Sequence, residues 1–367
     1  MAEKKINILH YGISAHLGGI ETYSYKLARN FDMNKYHFDF LYLGKTKPCF
    51  YDEMSELGCD FIGITSRKEN YLNYLRELDS VFREKKWDIV HLHLNSLNNI
   101  SPVMAALKYG NRVIVHSRNG GMPESMLNTL IYKINFARLK KCKIKRIAVS
   151  DVAGEWMFGE GSEFDVINNG IDVKKCSYSP EARKRIREKL GLSDSPVIIH
   201  TGSFKSQKNH NFLIDVFKCV HDKNSNYKLL LAGTGELMKK IQEKVCGYGL
   251  EEDVIFLGQV KNISDILSAG DFFLFPSFYE GFPNALIEAE TSGLSCLVSD
   301  TITDNVIFPG CNRMSLSAYP SEWANRLLSM ELNENREECV STAVKLKLDV
   351  QSEIKHLEEV YSSVLLA

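Results

Sequence analysis

The sequence predicts an α/β protein made of two doubly wound parallel-sheet domains that face a central cleft. Three observations carry this expectation. Apolar runs of strand length alternate with helical stretches, once over 1–175 and again over 197–349, which is the pattern of a parallel sheet covered on both faces. A charged stretch at 176–196 interrupts the alternation, and a chain of 367 residues has the length of about two domains. Glycine turns follow several strands, at Gly18-Gly19, Gly202, Gly233 and Gly281, and the C-terminal ends of such strands are where α/β sheets bind ligands.

In the first series, Ile6 to Gly12 reads as a buried strand. After Gly18-Gly19 comes an amphipathic helix with Ile20, Tyr23, Leu27 and Phe31 on one face. Strands at Phe38 to Gly44 and 59–64, a charged helix at 69–86, and the strand Asp88 to Leu94 follow. His91 and His93 alternate with apolar residues there and share a face; without a third ligand at a fitting spacing, they do not read as a metal site. Helix 101–109 leads to the strand Arg112 to Arg118, where His116 lies at the C-terminal end and is expected to point toward the cleft. Helix 124–141 and strands 145–150 and 165–169 close the domain. The linker 176–196 holds one short helix at 181–190. The second series runs through strands at 197–202, 228–232, 254–257, 272–275 and 296–299, with helices at 209–222, 236–246, 262–269 and 284–292. The tail 336–366 reads as helical, and 350–367 forms a C-terminal helix with Val350, Ile354, Leu357, Val360 and Val364 at helical spacing.

Composition narrows the function classes. A hydrophobic content of 44% and a charged content of 25% are those of a soluble globular protein. The net charge of −1 lacks the basic excess of a nucleic-acid binder, so no nucleic-acid partner is expected. Nine scattered cysteines without a C-x-x-C pair fit a reducing cytosol. No apolar run approaches a membrane span, and Met1-Ala2-Glu3-Lys4-Lys5 runs straight into a strand, so a cytoplasmic chain without a leader is expected.

The stretch Phe275 to Glu288 carries the chemistry. An apolar strand ends at Pro276, a Gly/Pro loop follows, Pro283 suits a first helical position, and Gly293 stands where a C-terminal cap belongs. Glu280 in the loop and Glu288 one turn into the helix bracket a helix N-terminus, which attracts phosphate, while carboxylates accept hydrogen bonds from sugar hydroxyls. The same acids also read simply as macrodipole complements or solvated loop charge. Lys205 and Lys208, in the loop after Gly202, are cations of the kind that neutralise a pyrophosphate leaving group. The run Arg138 to Arg146 holds six basic residues in nine and follows the amphipathic Met126, Leu130, Ile131, Ile134 and Ala137. It reads either as a surface for an anionic membrane or as cations at a helix C-terminus.

Glu280-Gly281-Phe282-Pro283-Asn284-Ala285-Leu286-Ile287-Glu288 resembles the Glu-x7-Glu motif of the retaining GT-B glycosyltransferases of family 4. Gly18-Gly19-Ile20-Glu21, Asn169-Gly170-Ile171-Asp172, Lys208-Asn209-His210, Gly233-Thr234-Gly235-Glu236-Leu237 and Ser299-Asp300-Thr301-Ile302-Thr303 extend the resemblance over nearly the whole chain, and it is greatest to the capsular and exopolysaccharide branch. The resemblance implies a GT-B fold of two Rossmann-like domains, the first for the acceptor and the second for the nucleotide-sugar, and it allows the C-terminal helix to pack back on the first. It implies that Glu288 binds the donor ribose and Glu280 the donor sugar. Gly281, Phe282, Pro283, Asn284, Ala285 and Leu286 would then line the diphosphate with Lys208, and Gly202, Lys205 and Gly233 would lie close by. Gly18, Gly19 and His116 would sit near the reacting centre, with Glu280, His116 and Lys208 as the catalytic set and no metal or other cofactor required. Ser203 stands where the family usually carries an Arg, with Lys205 as a candidate substitute; Ser295 replaces a usual Pro, and Asn305 an acid. The expected reaction is retaining transfer of a sugar from a nucleotide diphosphate, UDP foremost, to a lipid-linked glycan at the inner face of the cell membrane. The alternatives are a nucleotide-sugar epimerase on the same fold and a non-catalytic nucleotide-sugar-binding subunit.

Overall fold

The structure is a computed structural model and describes residues 5–15, 18–121, 126–302 and 307–367. Thr303, Asn305 and the start of the helix expected at 124–141 lie outside them. The chain divides into two compact units, Met1–Asn169 with Val350–Ala367, and Gly170–Asp349.

The first unit is a parallel sheet of seven strands in the order β3-β2-β1-β4-β5-β6-β7. Its strands are β1 (Ile6–Ile13), β2 (Tyr36–Leu43), β3 (Asp60–Ile64), β4 (Ile89–Leu94), β5 (Val113–Ser117), β6 (Lys145–Ala148) and β7 (Asp165–Val166). The helices are α1 (Gly19–Asn30), α2 (Tyr51–Glu56), α3 (Tyr71–Glu84), α4 (Ser101–Lys108), α5 (Met126–Leu139) and α6 (Asp151–Phe158). The central strands β4 and β5 are buried along their whole length, as a sheet covered on both faces requires. Helix α6 went unread in the sequence because its core residues Ala153, Gly154, Met157 and Phe158 make a short stripe with a glycine inside it; Ser150 caps it by accepting from the Ala153 N–H.

The second unit begins with α7 (Pro180–Leu190), within the stretch read as a linker. This helix packs on the unit through Arg183 and Arg187, which both reach Asp271. The sheet has six parallel strands in the order β10-β9-β8-β11-β12-β13. They are β8 (Val197–Thr201), β9 (Lys228–Ala232), β10 (Val254–Gly258), β11 (Phe272–Phe275), β12 (Ser295–Ser299) and β13 (Asn312–Met314). The helices are α8 (His210–His221), α9 (Met238–Gly247), α10 (Ile263–Ala269), α11 (Asn284–Thr291), α12 (Pro320–Leu328) and α13 (Cys339–Lys345).

The tail is not one helix. Helix α13 stops before Lys347, whose φ of +56° is left-handed, and α14 (Val350–Leu366) begins after it. The Ile171 N–H donates to the Leu348 carbonyl at 2.8 Å, so the two ends of the second unit are tied side by side. Helix α14 lays Ile354, Leu357, Val360 and Tyr361 into the core of the first unit. Its Glu353 is salt-bridged to Lys26 of α1.

Candidate functional site

In the second unit the strand order reverses direction between β8 and β11, so the loops leaving these neighbours diverge. A crevice at such a switch point is where doubly wound sheets hold their ligands. Both motif loops start there. The loop after β8 carries Gln207 and Lys208, and the loop after β11 carries Phe278 to Glu280. Contacts join them: Phe278 N–H to the Gln207 carbonyl at 2.9 Å, Gln207 Nε2 to the Tyr279 carbonyl at 2.9 Å, and Lys208 Nζ to Glu280 Oε1 at 2.7 Å. Gln207 Nε2 also reaches Glu280 Oε2 at 3.3 Å. The Lys208 and Glu280 side chains are only 14% and 8% exposed, so each charge depends on the other for compensation. The sequence suggested both residues but not their pairing. Gln207 was missed, since nothing in a single polar loop residue announces a contact 73 positions away.

Helix α11 begins at Asn284, as read, with Pro283 in the N-cap position and not the first helical one. Asn284 N–H donates to the Phe282 carbonyl, and the Leu286 and Ile287 amides donate to the Pro283 carbonyl. The amides of Asn284 and Leu286 are thus already hydrogen-bonded within the loop and first turn. The Leu286 side chain is fully buried in the core. Glu288 is half-buried on the same helix. Ser203 and Lys205 are both exposed in the loop after β8.

Two of the glycine turns make close contacts within the protein. A Cβ on Gly233 would lie 2.0 Å from the Gly202 carbonyl oxygen, so the close approach there is of one strand-end loop to another. Phe204 N–H then donates to the Thr234 carbonyl at 3.0 Å, stitching the two loops. A Cβ on Gly202 would press on His200 Nε2 and on the Lys208 stem, each at 3.2 Å, so this glycine sets how Lys208 lies.

The first unit reverses its strand order between β1 and β4. Gly18 and Gly19 are exposed after β1, where Gly18 caps α1. His116 is placed differently from expectation. Its side chain is fully buried on the sheet face covered by α1 and α14, alongside His91 and His93. Strand alternation puts His116 on the face of its β4 register partner, His93, and that face belongs to the helices. Burial holds the pKa values of His91, His93 and His116 well below 6.5 and lowers that of His10 to about 3, so all four are neutral at pH 7.

These rings form a directed chain. Arg118 Nη1 donates to His116 Nε2 at 3.2 Å, because a guanidinium has no acceptor. Neutral His116 therefore carries its proton on Nδ1 and donates to His91 Nε2 at 3.1 Å, and His91 Nδ1 donates to the Tyr361 hydroxyl oxygen at 2.8 Å. His10 supplies the third nitrogen that the sequence lacked, from a strand 80 residues away, and one nitrogen each of His10, His91 and His93 lies within 4.8 Å of the others. The geometry is nevertheless one of hydrogen bonds. His10 Nδ1 and His93 Nε2 are 3.1 Å apart in rings inclined by 5° with centroids 5.4 Å apart, the separation of two rings joined end to end. One of these nitrogens donates its N–H to the lone pair of the other, so the two face each other instead of converging on an ion, and both His91 nitrogens are engaged elsewhere.

Two family models match the chain: "Glycosyltransferase Family 4" over residues 17–175 and "Glycosyl transferases group 1" over 195–331. EpsF of Bacillus subtilis (strain 168), named for a glycosyltransferase, is 29% identical over 99% of this chain and 98% of its own. The UDP-Gal:alpha-D-GlcNAc-diphosphoundecaprenol alpha-1,3-galactosyltransferase of Escherichia coli is 26% identical over 83% of this chain and 81% of its own. Among solved structures, Anabaena HepE in complex with UDP and glucose superposes with a TM-score of 0.81 at 18% identity, over 98% of this chain and all of that one. The fold is therefore GT-B, one family model falls on each sheet unit, and the chain belongs to the family 4 glycosyltransferases of group 1.

Proposed function

We propose that this glycosyltransferase moves a sugar, with retention of anomeric configuration, from a UDP-sugar to a lipid-diphosphate-linked glycan in exopolysaccharide, capsule or O-antigen assembly. The observation that carries the reading is the buried Lys208–Glu280 pair at the β8/β11 switch point, with Glu288 one turn into the adjoining helix. Lys208 supplies the cation for a diphosphate, and the two carboxylates supply acceptors for sugar hydroxyls, so no metal has a necessary part. The activity for which the Escherichia coli relative is named supports both the UDP donor and the diphosphoundecaprenol carrier. The test is a screen of UDP-sugars against polyprenyl-diphosphate glycans, read by mass spectrometry with the anomer of the product assigned by NMR. Transfer with inversion, or consumption of donor only as its epimer, would overturn the reading.

Membrane association belongs to the same proposal, and α5 supports it. Met126, Leu130 and Ile134, one helical turn apart, are 91%, 57% and 53% exposed, an apolar stripe left open to solvent. Lys140, Lys141 and Lys143 are exposed just beyond its end. Lys145 is not part of the free basic surface, since it pairs with Asp165 at 2.7 Å. No helix among the described residues is long and apolar enough to cross a membrane. Replacing Leu130 and Ile134 with serine is expected to weaken cosedimentation with anionic vesicles by about a hundredfold or more, each buried apolar side chain being worth roughly 1.5–3 kcal/mol. Replacing Lys140, Lys141 and Lys143 should give a loss that high salt mimics. Binding that neither set alters would remove α5 from the membrane.

A further inference from the structure

Arg118 stands in the loop Arg118-Asn119-Gly120-Gly121, to which the sequence assigned no role. It leaves the C-terminal end of β5, the strand beside β4, at the ligand-binding edge of the first unit's sheet. Its guanidinium carbon lies 3.6 Å from the centre of the Tyr23 ring, which fixes one face of the group. One edge is fixed by the bond to His116 Nε2. Neither neighbour neutralises the charge, because His116 is an uncharged acceptor and Tyr23 is an aromatic face. The other arginines held in the body of the protein are treated differently: Arg183 and Arg187 meet Asp271, and Arg336 donates to the carbonyls of Leu267, Gly270 and Ser292. Among the described residues no carboxylate lies within ion-pair distance of Arg118. Glu353, whose charge reaches it, is salt-bridged to Lys26. Arg118 is thus a partly exposed cation held in a set orientation without an anion.

We propose that Arg118 binds a phosphoryl group of a substrate diphosphate, with His116, His91 and Tyr361 as positioning residues. A planar fork of donors with one edge pinned offers its other edge to two phosphate oxygens at little further entropic cost. The directed chain of neutral imidazoles ties that orientation to α14, since Tyr361 terminates it. The inference rests on the transfer reaction proposed above. Two sources share the chemistry, namely the lipid diphosphate of the acceptor and the nucleotide diphosphate of the donor.

The experiment is direct titration of the full-length protein and its Arg118→Gln variant with geranyl diphosphate and, separately, with UDP-glucose. The expected result is a tenfold or greater loss of affinity for geranyl diphosphate with UDP-glucose binding retained, which places the acceptor's diphosphate on Arg118. Loss for UDP-glucose alone assigns the donor instead. Arg118→Lys should recover part of the affinity by keeping the charge. Tyr361→Phe should produce a smaller loss that appears in the KM for a polyprenyl-diphosphate acceptor and not in kcat. Unchanged affinity for both ligands in Arg118→Gln, with circular dichroism like that of the parent, would overturn the proposal. Because binding is measured without turnover, absence of transfer to any lipid glycan would count against the proposed reaction and leave this result standing.

Discussion

Lys208→Ala lowers sugar transfer by about 10²–10³-fold, the scale for removing a group that stabilises charge developing on a leaving group. The structure adds a cost that the motif alone does not show. Lys208 and Glu280 are buried together, and removing Lys208 leaves Glu280 as an unpaired interior charge beside Gln207, which costs roughly 3–5 kcal/mol. The single variant is therefore expected to be both less active and less stable in the second unit. The double variant Lys208→Ala/Glu280→Ala separates the two effects. It should recover much of the lost stability in urea unfolding and none of the lost activity. If its activity returned along with its stability, the pair would be a structural bridge and not a phosphate and sugar site. Glu288→Ala provides the comparison: it lies outside the pair, and its expected effect is a rise in donor KM of tenfold or more.

The first unit is expected to lose stability steeply as pH falls below about 6.5. His10, His91, His93 and His116 are buried and neutral, with pKa values pushed below the ordinary 6.5 by desolvation. Below that value the unfolded chain takes up protons that the folded unit refuses, so unfolding gains from each histidine as pH drops. The loss begins near pH 6.5 and continues toward the folded values, which for His10 is about 3. Each site contributes up to about 1.4 kcal/mol per pH unit, and four together up to about 5 kcal/mol per unit, against a typical domain stability of about 5–15 kcal/mol. In the second unit His200 and His210 act in the same sense, but Glu290 opposes them. Burial raises its pKa to about 8, so between the ordinary carboxylate range and pH 8 its contribution to stability grows as pH falls. Urea unfolding at pH 7.5, 6.5 and 5.5 tests this. Trp87 and Trp156 report the first unit and Trp323 the second. A midpoint for the first unit that stays level from pH 7.5 to 5.5 would show that the histidines titrate normally.

The alternation of strands and helices, the glycine turns and the Glu-x7-Glu stretch were legible in the chain because each is local. Apolar period, turn chemistry and a motif nine residues long need no distant partner. The break at Lys347 was hidden for a physical reason: a lysine in the left-handed region is held there by tertiary packing and not by its own preference. His116 shows the limit most directly. Its place at a strand's end pointed outward along the chain, while the covering of that sheet face by α1 and by α14, some 240 residues later, turned it into an interior residue.

The sequence by itself determined the class of protein, its two-sheet architecture, and which loops of the second unit bear the acids and the cation. Tertiary structure alone decided that Lys208 neutralises Glu280, that Gly233 makes room for Gly202, that four histidines from three strands share one buried face, and that Arg118 is held by His116 and Tyr23 with no carboxylate beside it among the described residues. The physical reason is that backbone preference and apolar periodicity are written over a few neighbouring residues. Charge compensation, tautomer and burial are set by whichever groups the sheet order brings together.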